Sequence, residues 1–458
     1  MAGIGFVLRR LTQKETLSGS LQGYLHAAVV SSGPWLLTII ALGTVFLFTS
    51  HVTYVTEVAE FRNVIMYNFC FSAVFCSPIL ILTTRYLADC VYSSDLRMAP
   101  GLIGGSLTIM FLILTPVAML FYFGYTKLTW TESAMAVVHF LVVSTTNIVS
   151  VFLSALKNYL TITLSFLVGL TISVLSTVAL ADSFHISGML FGFSLGFAFI
   201  IAAIIAQVFS EYPKEFRNVF KVVSYLPKYW DVALTALLYS CGAWIDKWIM
   251  WMSPQGETSP DGFIMYPHYD SAMFLAYLTI VPSMAVFVMN QETYFFEVYL
   301  RFYRGVLGHR SFKTIQKYHA KLEVALMDIG RGVILLQAFI CTVVLAMAPK
   351  IFTSLGLSLA GLGMFRYGVL GVTFHIFHLF ICIFLSYFDY RRGGLIVATT
   401  FLITNGLFTC MSVWLGFPFY GYGYFLSCVV TFLVAAVILE RYVRQLPYNT
   451  FVVNNTAI

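Results

Sequence analysis

Leu238-Tyr239-Ser240-Cys241-Gly242-Ala243-Trp244-Ile245-Asp246-Lys247-Trp248-Ile249-Met250-Trp251-Met252 is an apolar run with two neighbouring charges set into it, Asp246 and Lys247, among three tryptophans. An ionisable side chain inside a membrane span costs about 2.5–3.5 kcal/mol on insertion scales, so one that persists marks a path, a relay or a gate. At about 100° per residue, Trp244, Lys247, Trp248 and Trp251 share one helix face. Tyr239, Gly242, Asp246 and Met250 share nearly the opposite one. The two charges are therefore predicted to take different partners, each from another helix or a cavity. Lys247 has a second reading, because a lysine beside tryptophans near a span end snorkels to the membrane interface. Asp246 is too short for that, which makes it the first functional candidate.

The surroundings have the composition of a membrane protein. The chain has 458 residues, 59% hydrophobic and 10% charged, with a mean hydropathy of +0.86. No water-soluble domain hides that much apolar surface. Runs of roughly 20 apolar residues, the length that crosses a hydrocarbon core, recur twelve times, at about 24–48, 63–87, 102–124, 133–155, 160–181, 187–209, 230–251, 271–296, 330–348, 367–387, 394–415 and 422–440. The sequence predicts an all-α polytopic membrane protein with twelve transmembrane helices in two six-helix bundles. Residues 1–210 form the first bundle, 211–229 a charged cytoplasmic linker, and 230–458 the second bundle with a basic cytoplasmic loop at 298–329. Two bundles of six suit a transporter with a central cavity.

Alternate connections sort the charge. All but five of the 26 basic residues fall on one side, with Arg62, Lys127, Lys350 and Arg366 on the other and Lys247 deep in a span. Basic loops face the cytoplasm, so both termini are expected there. The net charge of +6 is then a topology signal, and nucleic acid is excluded as a partner.

Other positions carry weaker signals. Ser31, Ser32, Gly33, Pro34 and Trp35 interrupt the first run, where proline opens a turn and makes either a kink or a cavity-lining hinge. Arg85 and Asp89 stand four apart and are expected to pair. His139, Asn147 and Asn405 read as interhelical hydrogen-bond formers, and the glycines and serines near 160–209 as close-packing positions. Residues 253–270 resemble a flexible acidic lip. Glu292 is expected in the inner third of its span, and 301–328 as amphipathic helices that bind membrane lipids or dock a partner. His375 and His378 are three apart, but no third ligand lies near them in sequence, so no metal is expected. The eight cysteines lack metal or disulfide spacing. No nucleophile elbow, phosphate loop or zincin pattern occurs, so neither an enzyme nor a cofactor is expected.

Met1-Ala2-Gly3-Ile4-Gly5-Phe6 with Leu8, Arg9 and Arg10, Ser31-Ser32-Gly33-Pro34-Trp35, Thr84-Arg85-Tyr86 with Asp89, Trp244-Ile245-Asp246-Lys247-Trp248, and Glu292 with Phe295, Phe296 and Glu297 together resemble the inner-membrane transporters of Pel exopolysaccharide systems, the PelG family. That resemblance implies a MATE-like member of the MOP flippase superfamily. It further implies export of a cationic, amino-sugar-rich polymer in assembly with inner-membrane Pel partner proteins and a cytoplasmic glycosyltransferase. On this reading Trp35, Trp244 and Trp248 offer faces to sugar rings, Asp246 and Glu292 attract the polymer, and Lys247, Pro34 and Arg85 belong to the path or its coupling. The residues alone leave two alternatives open, an ion-coupled antiporter or flippase for a small or lipid-linked substrate, and a scaffold that docks the synthase through 301–328.

Overall fold

The computed structural model describes residues 37–49, 52–93, 98–154, 159–212 and 219–453. Pro34 and Trp35, with the rest of that motif, lie outside the described residues. The described residues are almost all helical, with one short β-hairpin. Its helices are α1 (Leu37–Thr49), α2 (Val55–Tyr92), α3 (Ala99–Gly124), α4 (Trp130–Ser150), α5 (Tyr159–Glu211), α6 (Leu226–Trp251), α7 (Pro267–Leu278), α8 (Val281–Asn290), α9 (Phe296–Leu307), α10 (Phe312–Ser354), α11 (Leu362–Tyr387), α12 (Arg391–Leu415) and α13 (Tyr422–Arg444). A π-helical turn, Gln291–Phe295, joins α8 to α9.

Among the described residues, nine helices are long and apolar enough to cross a membrane. The twelve apolar runs of the sequence differ from them at three places. α1 has a short described stretch. α5 counts as one helix although His185 leaves helical geometry at φ 51°, ψ −136°. α6 is not among the nine, because Asp246, Lys247 and the tryptophans dilute its hydropathy.

The described chain clusters into two units. One comprises the described residues within 33–244 together with 251–266, the other 245–250 together with 267–453. In the first, the arms of α5 fold back on each other about His185. Ser173 Oγ donates to the Phe193 carbonyl at 2.8 Å and Ser176 Oγ to that of Gly192 at 2.8 Å. Side-chain hydroxyls thus bond backbone directly, which requires close backbones, and glycine permits it. A Cβ on Gly196 would stand 2.1 Å from the Gly169 oxygen. His139 and Asn147 bridge helices as expected. His139 Nδ1 lies 2.8 Å from Asn68 Nδ2, Tyr122 donates to Asn68 Oδ1 at 2.6 Å, and Asn147 Nδ2 donates to Ser72 Oγ at 3.4 Å. α4 begins at a capping box, with Thr129 and Glu132 bonding each other's backbone nitrogens.

The expected flexible lip is an ordered structure. Glu257–Thr258 pairs antiparallel with Ile264–Met265, and Phe263 between them is fully buried. The Tyr67 hydroxyl grips the hairpin, donating to the Ile264 carbonyl at 2.7 Å and accepting its N–H at 3.1 Å. Polar composition hid this, because a single aromatic plug holds the loop.

In the second unit an aromatic core runs through Phe287, Phe295, Phe302, Phe380 and Phe384 with Ile315 and Leu322. Phe302 of α9 and Ile315 and Leu322 of α10 are buried in this core. Arg301, Arg304, Arg310, Lys313, Lys317 and Lys321 remain exposed. Leu307, Phe312 and Val324 are exposed beside these cations.

Candidate functional site

Asp246 and Lys247 sit in α6 with almost no exposure, 0% and 7%. Contrary to the expectation from the helical wheel, they pair with each other. Lys247 Nζ stands 3.3 Å from both Asp246 oxygens. Their Cβ atoms diverge, but the four-carbon lysine stem is long enough to fold back, and burial rewards any compensation of charge. Lys247 therefore does not snorkel to an interface.

Other helices complete the site. Tyr269 of α7 donates to Asp246 Oδ2 at 2.8 Å, and Asn405 of α12 donates to Oδ1 at 3.4 Å. Thr409, one turn along, donates to Asn405 Oδ1 at 3.2 Å and fixes the amide. Lys247 Nζ lies over the rings of Tyr277 (5.2 Å) and Tyr424 (5.8 Å), a favourable cation–π geometry. Those two tyrosine hydroxyls bond each other at 2.8 Å. Each Asp246 oxygen thus receives two donors and the ammonium has two ring faces. Such a pair is weakly stabilising as a whole but costly to break.

Glu292 forms a separate group. It is buried at 5% in the π-helical turn, a distortion frequent at functional sites. Tyr387 of α11 donates to Glu292 Oε1 at 3.4 Å and accepts from Gln291 Nε2 at 3.0 Å. Trp244 and Trp248 are partly buried on α6. Arg85 lies 5.9 Å from the Tyr229 ring centre, and Asp89 accepts the Tyr225 hydroxyl at 2.9 Å.

Sequence reasoning missed Tyr269, Tyr277 and Tyr424 and saw Asn405 only as an interhelical bond. It also missed a third ligand beside the histidines. Cys428 of α13 joins His375 and His378, and all three are buried. The expectation of no ligand near the pair is corrected: 50 residues of sequence separate His378 from Cys428, and only helix packing removes that gap.

The fold is that of the MOP superfamily transporters. A multidrug resistance MATE family transporter of that superfamily, in its outward-facing conformation, superposes with a TM-score of 0.62 at 14% identity, covering 92% of this chain and 96% of its own. A MOP superfamily transporter from Pyrococcus furiosus gives 0.61 at 12% identity, covering 91% and 96%. The inward-facing MATE transporter gives 0.59 at 12%, covering 89% and 95%. No curated protein matches the chain. The family described as "PelG: Putative exopolysaccharide Exporter (EPS-E)" matches residues 1–451, and the chain belongs to this family.

Proposed function

We propose that this multi-pass protein moves a cationic, amino-sugar-rich exopolysaccharide across the bacterial inner membrane through twelve spans in two six-helix bundles, residues 1–210 and 230–458. The family match over residues 1–451 supports export of a polysaccharide. The observation that carries the choice of a cationic polymer is the sequestered Asp246 carboxylate, already neutralised by an ammonium, Lys247. An amino-sugar ammonium entering an opened site exchanges for Lys247 without leaving a bare buried charge, the costly alternative. Glu292 repeats the charge elsewhere on the path. Trp35, Trp244 and Trp248 offer faces to sugar rings, and Pro34 and Arg85 belong to the path or its coupling.

Asp246→Asn and Glu292→Gln variants, checked for membrane abundance, are expected to lower polymer secretion at least about tenfold, the effect of losing roughly 1.4 kcal/mol of interaction in the rate-limiting complex. Secretion at the parental rate would reject this use of the carboxylates.

A second reading, an ion-coupled antiporter, draws on the same buried Asp246, since a carboxylate shielded from water is also a proton or sodium carrier. Proteoliposomes separate the two. Movement of a small solute driven by an ion gradient, without a glycosyltransferase, favours the antiporter.

The exposed cations of α9 and α10 support assembly with a cytoplasmic glycosyltransferase, beside inner-membrane Pel partner proteins. Six exposed cations there, Arg301, Arg304, Arg310, Lys313, Lys317 and Lys321, suit electrostatic recognition of an acidic surface.

A further inference from the structure

His375 and His378 of α11 and Cys428 of α13 offer donor atoms that all lie within 4.8 Å of one another, and each residue is buried. The two rings stand 4.7 Å apart at 55° to each other. We propose that these three side chains bind Cu(I), tying α11 to α13. Donors spaced around a first-row ion at about 2.0–2.3 Å stand about 3.5–4 Å apart, so side-chain shifts of under about 1 Å close the set.

The donors select the metal. Imidazole and thiolate suit copper and zinc, whereas magnesium, calcium and manganese demand oxygen. Charge decides between the remaining two. Two neutral imidazoles and one thiolate carry a single negative charge, which cancels Cu(I) and leaves Zn(II) one charge in excess. That excess would be buried near a cation already present. His375 packs against the rings of Tyr277 and Tyr424, and Lys247 lies over the same two rings. A trigonal site also suits Cu(I), whereas structural zinc takes a fourth ligand. Binding breaks the Cys428 S–H bond, forms a Cu–S bond and releases one proton, with no change of oxidation state.

The test uses full-length protein in nanodiscs, loaded with Cu(I) anaerobically and competed with bathocuproine disulfonate, followed by metal analysis. The wild type is expected to keep about one copper per chain, and Cys428→Ala and His378→Gln below about a tenth of that. Cys410→Ala, which removes an exposed thiol, should match the wild type. Equal copper in wild type and Cys428→Ala overturns the site, and retention of Zn(II) in preference to Cu(I) overturns the choice of metal. X-ray absorption on the wild type keeps the test valid if a variant misfolds. A shell of two nitrogens and one sulfur supports the proposal, and a shell without sulfur overturns it. Copper should also raise the melting temperature of the wild type and leave that of Cys428→Ala unmoved.

Discussion

Lys247 is the residue on which the buried pair turns, because removing it strands a carboxylate that cannot reach water. Tyr269 and Asn405 would still bond Asp246, but neither neutralises it. Lys247→Met is therefore expected to destabilise the protein by about 3–5 kcal/mol, and Asp246→Asn combined with Lys247→Met to recover most of that loss. Unfolding by denaturing detergent, with all variants in one membrane mimic, measures both. A double variant no more stable than Lys247→Met alone would show that the pair is not the cause. Asp246 and Lys247 were legible in the sequence because charge is an anomaly in an apolar run. Their partners were not: tyrosine occurs 27 times in this chain, so one more in a span carries no signal. No local pattern joins positions 246, 269, 405 and 424 either. Cys428 was hidden in the same way, since a cysteine in a span reads as a small apolar filler until a packed helix brings it to two imidazoles.

At the scale of elements, close packing and loop electrostatics make separate claims. A Cβ on Gly192 would meet Ser176 carbon and Thr177 nitrogen at 2.6 Å, both backbone atoms. Gly192→Ala is therefore expected to cost about 1–3 kcal/mol by forcing the arms of α5 apart. Gly330→Ala, in α10 with nothing within 4 Å, should be neutral or gain up to about 1 kcal/mol from helix propensity. Thermal unfolding of the two variants decides, and equal losses would contradict the close-packing account. In the hairpin, burial holds the Asp261 carboxyl above its ordinary range, opposed by a hydrogen bond with Glu60 and aided to a smaller extent by the nearby Glu132 charge. The folded state thus binds this proton more tightly than the unfolded chain. Its stabilisation is complete below the ordinary aspartate range and is lost as pH rises through the raised value. Asp261→Asn should accordingly gain on the wild type in melting temperature as pH is raised from acid toward neutral. A constant difference across that range would show that Asp261 does not titrate there. The α5 glycines and serines were legible as close-packing positions because small side chains let helix backbones approach. The hairpin was not, because its turn residues read as a loop and one buried phenylalanine, Phe263, holds it in place.

For the whole molecule, the number of crossings sets the topology. The nine apolar helices among the described residues would put the ends of the chain on opposite sides and the twelve apolar runs of the sequence on the same side, and α6 is one of the helices on which the difference turns. Ser224 and Glu257 are exposed at either end of α6, and Ser311 is exposed beyond α7–α9. If α6 spans despite Asp246 and Lys247, Ser224 and Glu257 lie on opposite faces of the membrane, and Ser311 lies with Ser224. Basic residues agree with that arrangement: Lys221 and Lys228 flank Ser224, and Arg310 and Lys313 flank Ser311, whereas 253–270 contains none. The expected outcome, in a chain whose eight cysteines are replaced, is that Glu257→Cys reacts with an impermeant maleimide on intact cells. Ser224→Cys and Ser311→Cys should react only in inverted vesicles. Labelling of Ser224→Cys from the outside together with Glu257→Cys would make α6 a helix that does not cross, and would remove its charge pair from any transmembrane path. The buried, internally neutralised ion pair makes a crossing of α6 affordable: paired charges would enter the membrane as a polar but neutral unit, at far lower cost than two separate ions.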